Sequence, residues 1–226
     1  MLILNLKTYP TVSGKEIVNV LELITRLIKK NPRIKSHLHI CPATTDLTYI
    51  RTNFPSINVI AQHADPIEEG KSNGWTPAQL LKRIGIKMTL VNHSEHRLST
   101  KLLQETLEFL NKNEVKPIVC CENLEEVKEV LRLKPFAIAY EAKELIGSGN
   151  SVSKQEPEII EKFLKVCKSK TLPIIGAGIS FDEDIRIGME QGAKGFLVAS
   201  AFAKSDEKEK KLLELLSPFL KSSPKR

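Results

Sequence analysis

KPIVCCENLEEVKEVLRLKPFAIAY, residues 116–140, contains a strand, a helix and a second strand in 25 residues. KPIVCC and PFAIAY are short apolar runs with β-branched content, which is a strand signal. Residues 123–133 between them carry helical spacing. The same unit recurs outward in both directions. The apolar runs are MLILNL, SHLHIC, INVIAQ, KMTLVN, KPIVCC, PFAIAY, LPIIGA and KGFLVAS, about eight in all. Most are continuous rather than strictly alternating, as expected of strands covered on both faces.

Helical patterns separate the runs. In GKEIVNVLELITRLIKK (14–30), Ile17, Val20, Leu21, Ile24, Leu27 and Ile28 fall at three- and four-residue intervals. Other helices are expected near 77–84, 99–112, 123–133, 156–168, 181–191 and 206–220, with a short one in TTDLTYIRTN. Ser99 and Asp182 read as N-caps, and Pro77 and Pro157 suit a first turn. Alternating strands and helices form either an open doubly wound sheet or a closed (β/α)8 barrel. The 226 residues divided among eight units give about 28 each. Eight equal units favour a TIM barrel: one α/β domain spanning 1–226, with a basic tail from about residue 221.

Composition narrows the function. The net charge is +7, spread along the chain, with a basic KSSPKR ending. No zinc spacing, RNP-like aromatic motif or basic helix repeat accompanies it, so no nucleic-acid partner is expected. A field favouring a small anion is compatible with the charge. The opening MLILNLK is too short for a signal peptide or a membrane span, so no membrane partner is expected. Cys41, Cys120, Cys121 and Cys167 form no C-x-x-C pair and read as reduced core thiols of a cytoplasmic protein. Asn92-His93-Ser94 matches a glycosylation acceptor, a pattern without meaning in that compartment.

A barrel carries its chemistry at the C-terminal ends of its strands. There the sequence places Asn5 and Lys7 after the first run, and Gln62, His63 and Asp65 after the third. Asn92, His93, Ser94 and Glu95 follow the fourth. Glu141 follows the sixth, Gly176-Ala177-Gly178 the seventh, and Ala199 and Ser200 the eighth. Glu141 is a lone carboxylate able to abstract a proton. His93 can polarise a carbonyl, and Lys7 can stabilise an oxyanion. The small residues after the last two strands can cradle a phosphate on backbone N–H groups. The dinucleotide pattern G-x-G-x-x-G is excluded because its third glycine would be Phe181. His37 and His39 read as structural, and His96 as a solvated surface residue.

These residues resemble a known family. N-x-K after the first strand, NHSE with Arg97 close behind, and E-x-x-x-x-I-G-S-G from Glu141 are similar to triosephosphate isomerase, in order and across essentially the whole chain. AQHADPIEEG, GAGIS and FLVAS resemble its short archaeal type. The resemblance implies interconversion of dihydroxyacetone phosphate and D-glyceraldehyde 3-phosphate through an enediolate, in glycolysis and gluconeogenesis. It implies Glu141 as base, His93 as electrophile, and Lys7 and Asn5 as substrate ligands, with Glu95 holding Lys7 or His93. It implies Ile146 and Gly147 in a lid that keeps water from the enediolate. Gly178, Ala199 and Ser200 would give N–H groups to the phosphate. It implies no metal and no organic cofactor, and a small phosphorylated three-carbon substrate. Two departures are Ala142 where the family has proline, followed by Lys143, and Ala201 where archaeal relatives often have glycine. The loop IEEGKSNGW (67–75) would reach into a neighbouring subunit, and Trp75 at its tip favours a homodimer or homotetramer. Two other classes fit the scaffold. A pentose-phosphate epimerase needs facing carboxylates and metal-ligand histidines, hinted at only by His63 and Asp65. A silent sugar-phosphate binder would have no need of Asn5, Lys7, His93 and Glu141 together.

Overall fold

The structure, a computed structural model, describes residues 1–142, 152–155, 157–168 and 170–221. Its strands are β1 (Leu2–Asn5), β2 (Leu38–Cys41), β3 (Met88–Val91), β4 (Lys116–Cys121), β5 (Ala137–Tyr140), β6 (Leu172–Ile175) and β7 (Gly195–Val198). They form one parallel curled sheet in the order β2-β1-β7-β6-β5-β4-β3. Its helices are α1 (Ile17–Lys30), α2 (Arg33–His37), α3 (Leu47–Asn53), α4 (Ala78–Arg83), α5 (Thr100–Lys112), α6 (Leu124–Leu131), α7 (Val152–Gln155), α8 (Pro157–Cys167), α9 (Asp182–Gln191), α10 (Ser200–Ala203) and α11 (Lys208–Lys221). None of the described helices is long and apolar enough to cross a membrane.

Seven of the eight apolar runs are strands of this sheet. The run INVIAQ differs. It makes two isolated parallel bridges, Val59 with Ile40 and Ala61 with Thr89. Ile60 N–H donates to Ile40 O at 2.9 Å, and Leu90 N–H donates to Ala61 O at 2.8 Å. The run therefore lies between β2 and β3, the two ends of the seven-strand order. It meets each neighbour at a single staggered position, too few for a continuous ladder.

Both faces of the sheet are covered, which explains the continuous apolar runs. Side chains still alternate along each strand. Leu2, Leu4, Val119, Cys121, Ile138 and Tyr140 face the helices. Ile3, Cys41, Leu90, Ile118, Cys120, Ala137, Ala139, Ile174 and Leu197 form a separate inner cluster. On α1, Ile17, Val20, Leu21, Ile24 and Leu27 are buried as their spacing requires, while Ile28 is half-buried. Ser99 caps α5, its side chain accepting from Leu102 N–H. Asp182 is not a cap: Phe181 holds that position. The terminus is satisfied instead by Asp184, whose buried carboxylate accepts from Ser180 and Phe181 N–H at 2.9 Å each. Pro77 likewise precedes α4 as its cap residue instead of opening its first turn.

One inward residue gives the fold an acid liability. His39 pairs in register with Ile3 and shares the inner parity of Cys41, at the end of the sheet away from Glu141. Its Nδ1 is buried without a hydrogen-bond partner among the described residues. Burial, reinforced by the Met1 ammonium, pushes its pKa from 6.5 down to about 4. The unfolded chain thus takes up this proton first as pH falls. Stability is complete above about 6.5 and is lost between about 6.5 and about 4. At ~1.4 kcal/mol per pH unit, the gap amounts to about 3 kcal/mol. Denaturant midpoints from pH 7 to 4 should fall less steeply for His39→Leu than for the parent. Equal slopes would show that His39 does not carry the acid sensitivity.

Candidate active site

Alternation along the strands decides which residues reach the mouth of the sheet. On β5 the inward positions are Ala137 and Ala139, so the next is Glu141. On β1 the inward Ile3 leads to Asn5, 4% exposed. On β6 the inward Ile174 leads to Gly176, beside Glu141 because Tyr140 pairs with Ile175. On β7 the inward Leu197 leads to Ala199.

His93 does not follow this rule. Leu90 faces inward, so strict alternation would turn residue 93 outward. Asn92 breaks the pattern with a left-handed backbone, φ 61°. Its amide Nδ2 donates to Cys120 O at 3.0 Å and to Glu126 Oε1 at 2.9 Å, while Oδ1 accepts from Leu98 N–H at 3.0 Å. Arg97 donates to Asn92 O at 3.1 Å and also pairs with Glu126. This network holds the strained turn that aims His93 into the site. Lys7 and Ala177 are left-handed too, with φ 47° and 60°.

The four polar groups form one chain of contacts. Lys7 Nζ lies 2.5 Å from Glu95 Oε1. Glu95 N–H donates to His93 Nδ1 at 3.2 Å. That makes Nδ1 an acceptor, which puts the ring hydrogen of a neutral imidazole on Nε2. Nε2 lies 3.7 Å from Glu141 Oε2, beyond hydrogen-bond reach. Glu95 was expected to hold either Lys7 or His93; it holds Lys7 with its carboxylate and His93 with its backbone. Asn5 Oδ1 accepts from Lys7 N–H at 3.2 Å, fixing the backbone from which the ammonium projects.

Glu141 is buried, and its Oε2 has no hydrogen-bond partner among the described residues. Such an atom is costly. Cys120 packs against this carboxylate. Burial first, and then Glu141, holds its thiol well above the ordinary range, so the sulfur keeps its hydrogen. Ala142 is also buried.

A cavity of about 450 Å³ brings these groups together with the two small-residue turns. Asn5, Lys7, His93 and Glu141 line it together with Gly178, Ala199 and Ser200. Ala177 and Gly178 are successive left-handed residues, a turn that can point neighbouring N–H groups at one anion. Ile146 and Gly147 lie outside the described residues, as does Lys143. Tyr9 and Lys204 are among the lining residues that the sequence reading missed. Lys204 sits one helical turn after Ser200, a spacing that could have marked it.

A second cavity of about 600 Å³ adjoins the first through Asn5, Lys7, His93 and Glu95. His63 and Asp65 line it as partners of each other, Nε2 to Oδ1 3.0 Å. Asp65 also accepts from Thr76 N–H at 2.7 Å, tying down the loop that carries Trp75. His96 is exposed, as expected, yet its ring stacks on His63 with centroids 4.0 Å apart. The described residues contain no cluster of three or more His, Cys, Asp or Glu that could hold a metal ion.

A family model described as triosephosphate isomerase matches residues 1–217. The triosephosphate isomerase of Methanothermus fervidus is 34% identical over 220 residues, covering 96% of this chain and 97% of its own length. That of Thermoplasma volcanium is 35% identical over 215 residues, covering 95% and 98%. That of Saccharolobus solfataricus is 35% identical over 224 residues, covering 98% and 97%.

Proposed function

The chain belongs to the triosephosphate isomerase family, and we propose that Glu141, His93 and Lys7 perform the family's reaction in it. That reaction interconverts dihydroxyacetone phosphate and D-glyceraldehyde 3-phosphate. The observation that carries the assignment is the run of contacts from Lys7 through Glu95 and His93 to Glu141, around one cavity.

Each group has a task its geometry suits. Glu141, with a buried and unpartnered oxygen, takes a proton from one carbon of the substrate and returns it to the next. His93 offers its Nε2 hydrogen to the carbonyl oxygen and to the enediolate that follows. Lys7 supplies positive charge beside it, oriented by Glu95 and Asn5. The turn at Ala177–Gly178 and the turn at Ala199–Ser200 bind the phosphate through backbone N–H groups. Ile146 and Gly147 we assign to the cover over it, on the resemblance alone. No step calls on a metal or an organic cofactor.

The wider setting follows from the same reading. The bridges at Val59 and Ala61 support closure of the sheet as an eight-stranded barrel, and we take 1–226 as one domain with a basic tail. Four free, buried cysteines support a reducing cytoplasmic setting, at the triose-phosphate step shared by glycolysis and gluconeogenesis. Trp75, 54% exposed at a loop tip, supports a homodimer or homotetramer.

A coupled assay on the purified protein tests the reading. Interconversion of the two triose phosphates is expected, inhibited by a phosphoglycolate-like mimic of the enediolate. Turnover of pentose phosphates instead, or binding without turnover, would overturn it.

A further inference from the structure

The charges lining the catalytic cavity do not balance through the expected residues alone. Among the described residues two carboxylates face it, Glu95 and Glu141. Lys7 is already paired with Glu95 at 2.5 Å, and His93 is neutral on the hydrogen-bond evidence. With only these groups, the lining would carry a net negative charge from Glu141. A phosphate monoester near neutral pH itself carries roughly two negative charges. Such a ligand would be repelled from the site it must enter.

Lys204 corrects this. It is the C-cap residue of α10, the short helix that begins at Ser200, and it lines the same cavity. Its Nζ stands 5.8 Å from the centre of the Tyr9 ring, which is also part of the lining. An aromatic face attracts a cation without neutralising it. Lys82, Lys154, Lys210 and Lys211 each pair with a carboxylate; among the described residues Lys204 pairs with none. Among the described residues it is an exposed, uncompensated ammonium that lines the cavity with the small-residue turns.

We infer that Lys204 is a specificity-determining residue: a second cation, beside the phosphate turns, that draws in and retains the phosphorylated end of the substrate. The inference rests on the isomerase reading of the cavity. Lys204 touches no reacting carbon or oxygen, so its effect belongs to capture and not to the chemical step. A charge at the mouth acts through a field that salt screens.

The test compares the parent, Lys204→Gln and Lys82→Gln. The last removes the same unit of charge from a residue outside the cavity. Steady-state kinetics with glyceraldehyde 3-phosphate are measured from about 20 to about 300 mM salt, a range over which screening strengthens several-fold. Lys204→Gln is expected to lower kcat/KM about tenfold at low salt and about twofold at high salt. Its kcat should stay within about twofold of the parent, because the reacting groups are untouched. Unphosphorylated D-glyceraldehyde should be turned over equally by all three proteins. Calorimetry with inorganic phosphate supplies a readout independent of turnover: Lys204→Gln should bind it about tenfold more weakly and Lys82→Gln normally. A loss confined to kcat, an equal loss on D-glyceraldehyde, or unchanged phosphate affinity would each overturn the inference. Were the parent not to isomerise triose phosphates, the calorimetry would still decide the role of Lys204; were it to isomerise them and Lys204→Gln to match it, only Lys204 would lose its role.

Discussion

Glu141→Gln is expected to lower kcat by about 10²–10⁴-fold, the range spanned by loss of an acid–base group. The amide keeps the shape of the carboxylate but cannot accept a proton from carbon. The site should otherwise survive. Glu141 is buried at the end of β5 with an unpartnered oxygen, and a neutral amide is cheaper to bury than a carboxylate. The melting temperature should therefore hold or rise. Affinity for a phosphate-bearing inhibitor should change little, because the phosphate is assigned to other lining residues, Gly178, Ala199 and Ser200. The coupled assay and a thermal scan check both halves. Near-normal turnover would remove Glu141 from the mechanism.

Gly176→Ala should cost activity by a different route. Gly176 and Glu141 lie side by side on the inner face, one position beyond the Tyr140–Ile175 pair. Gly176 N–H donates to Tyr140 O at 2.8 Å, which ties its backbone to β5. A methyl group at Gly176 would sit 2.5 Å from Glu141 Cγ and 2.9 Å from Cδ and Oε1. Contacts that close cannot persist, so the carboxylate must move. Misplacing a catalytic group by about 1 Å can cost about 10²-fold, and that is the loss expected in kcat. Overpacking should also cost about 1–3 kcal/mol of stability. Gly188→Ala separates the two effects. There a methyl would meet the Phe196 ring at 2.5 Å, in the core between α9 and β7. It should destabilise to a similar degree and leave kcat intact. Equal kcat losses in the two variants would mean that the effect at Gly176 is only packing.

Much of this could be read from the chain because two periodicities coexist in it. The continuous apolar runs marked strands covered on both faces. The inward parity of Ala137 and Ala139, which carries Glu141 to the mouth, is hidden in an unbroken apolar run and shows only in the folded sheet. INVIAQ read as a strand like the others, but pairing at one staggered position on each side is a property of its neighbours and not of its composition. Asp182 looked like a cap because the carboxylate that satisfies the turn, Asp184, acts from inside the helix. His93 was recognisable from its motif. Its inward aim was not, since that depends on a left-handed Asn92 held by Glu126, 34 residues away. The contact between Lys7 and Glu95 spans 88 residues, and local sequence carries no trace of such a pairing. Lys204 escaped notice because its one signal, a helical turn's spacing from Ser200, is weak in a charged segment, and its place over Tyr9 is set by the fold.

The central claim is that one carboxylate moves a carbon-bound proton on a triose phosphate. Incubating dihydroxyacetone phosphate with the protein in deuterium oxide and following the carbon-bound positions by NMR tests it most directly. Deuterium should enter C1 of dihydroxyacetone phosphate and C2 of glyceraldehyde 3-phosphate in step with isomerisation, and incorporation and isomerisation should disappear together in Glu141→Gln. Isomerisation or deuterium incorporation that persists undiminished in Glu141→Gln would contradict the account.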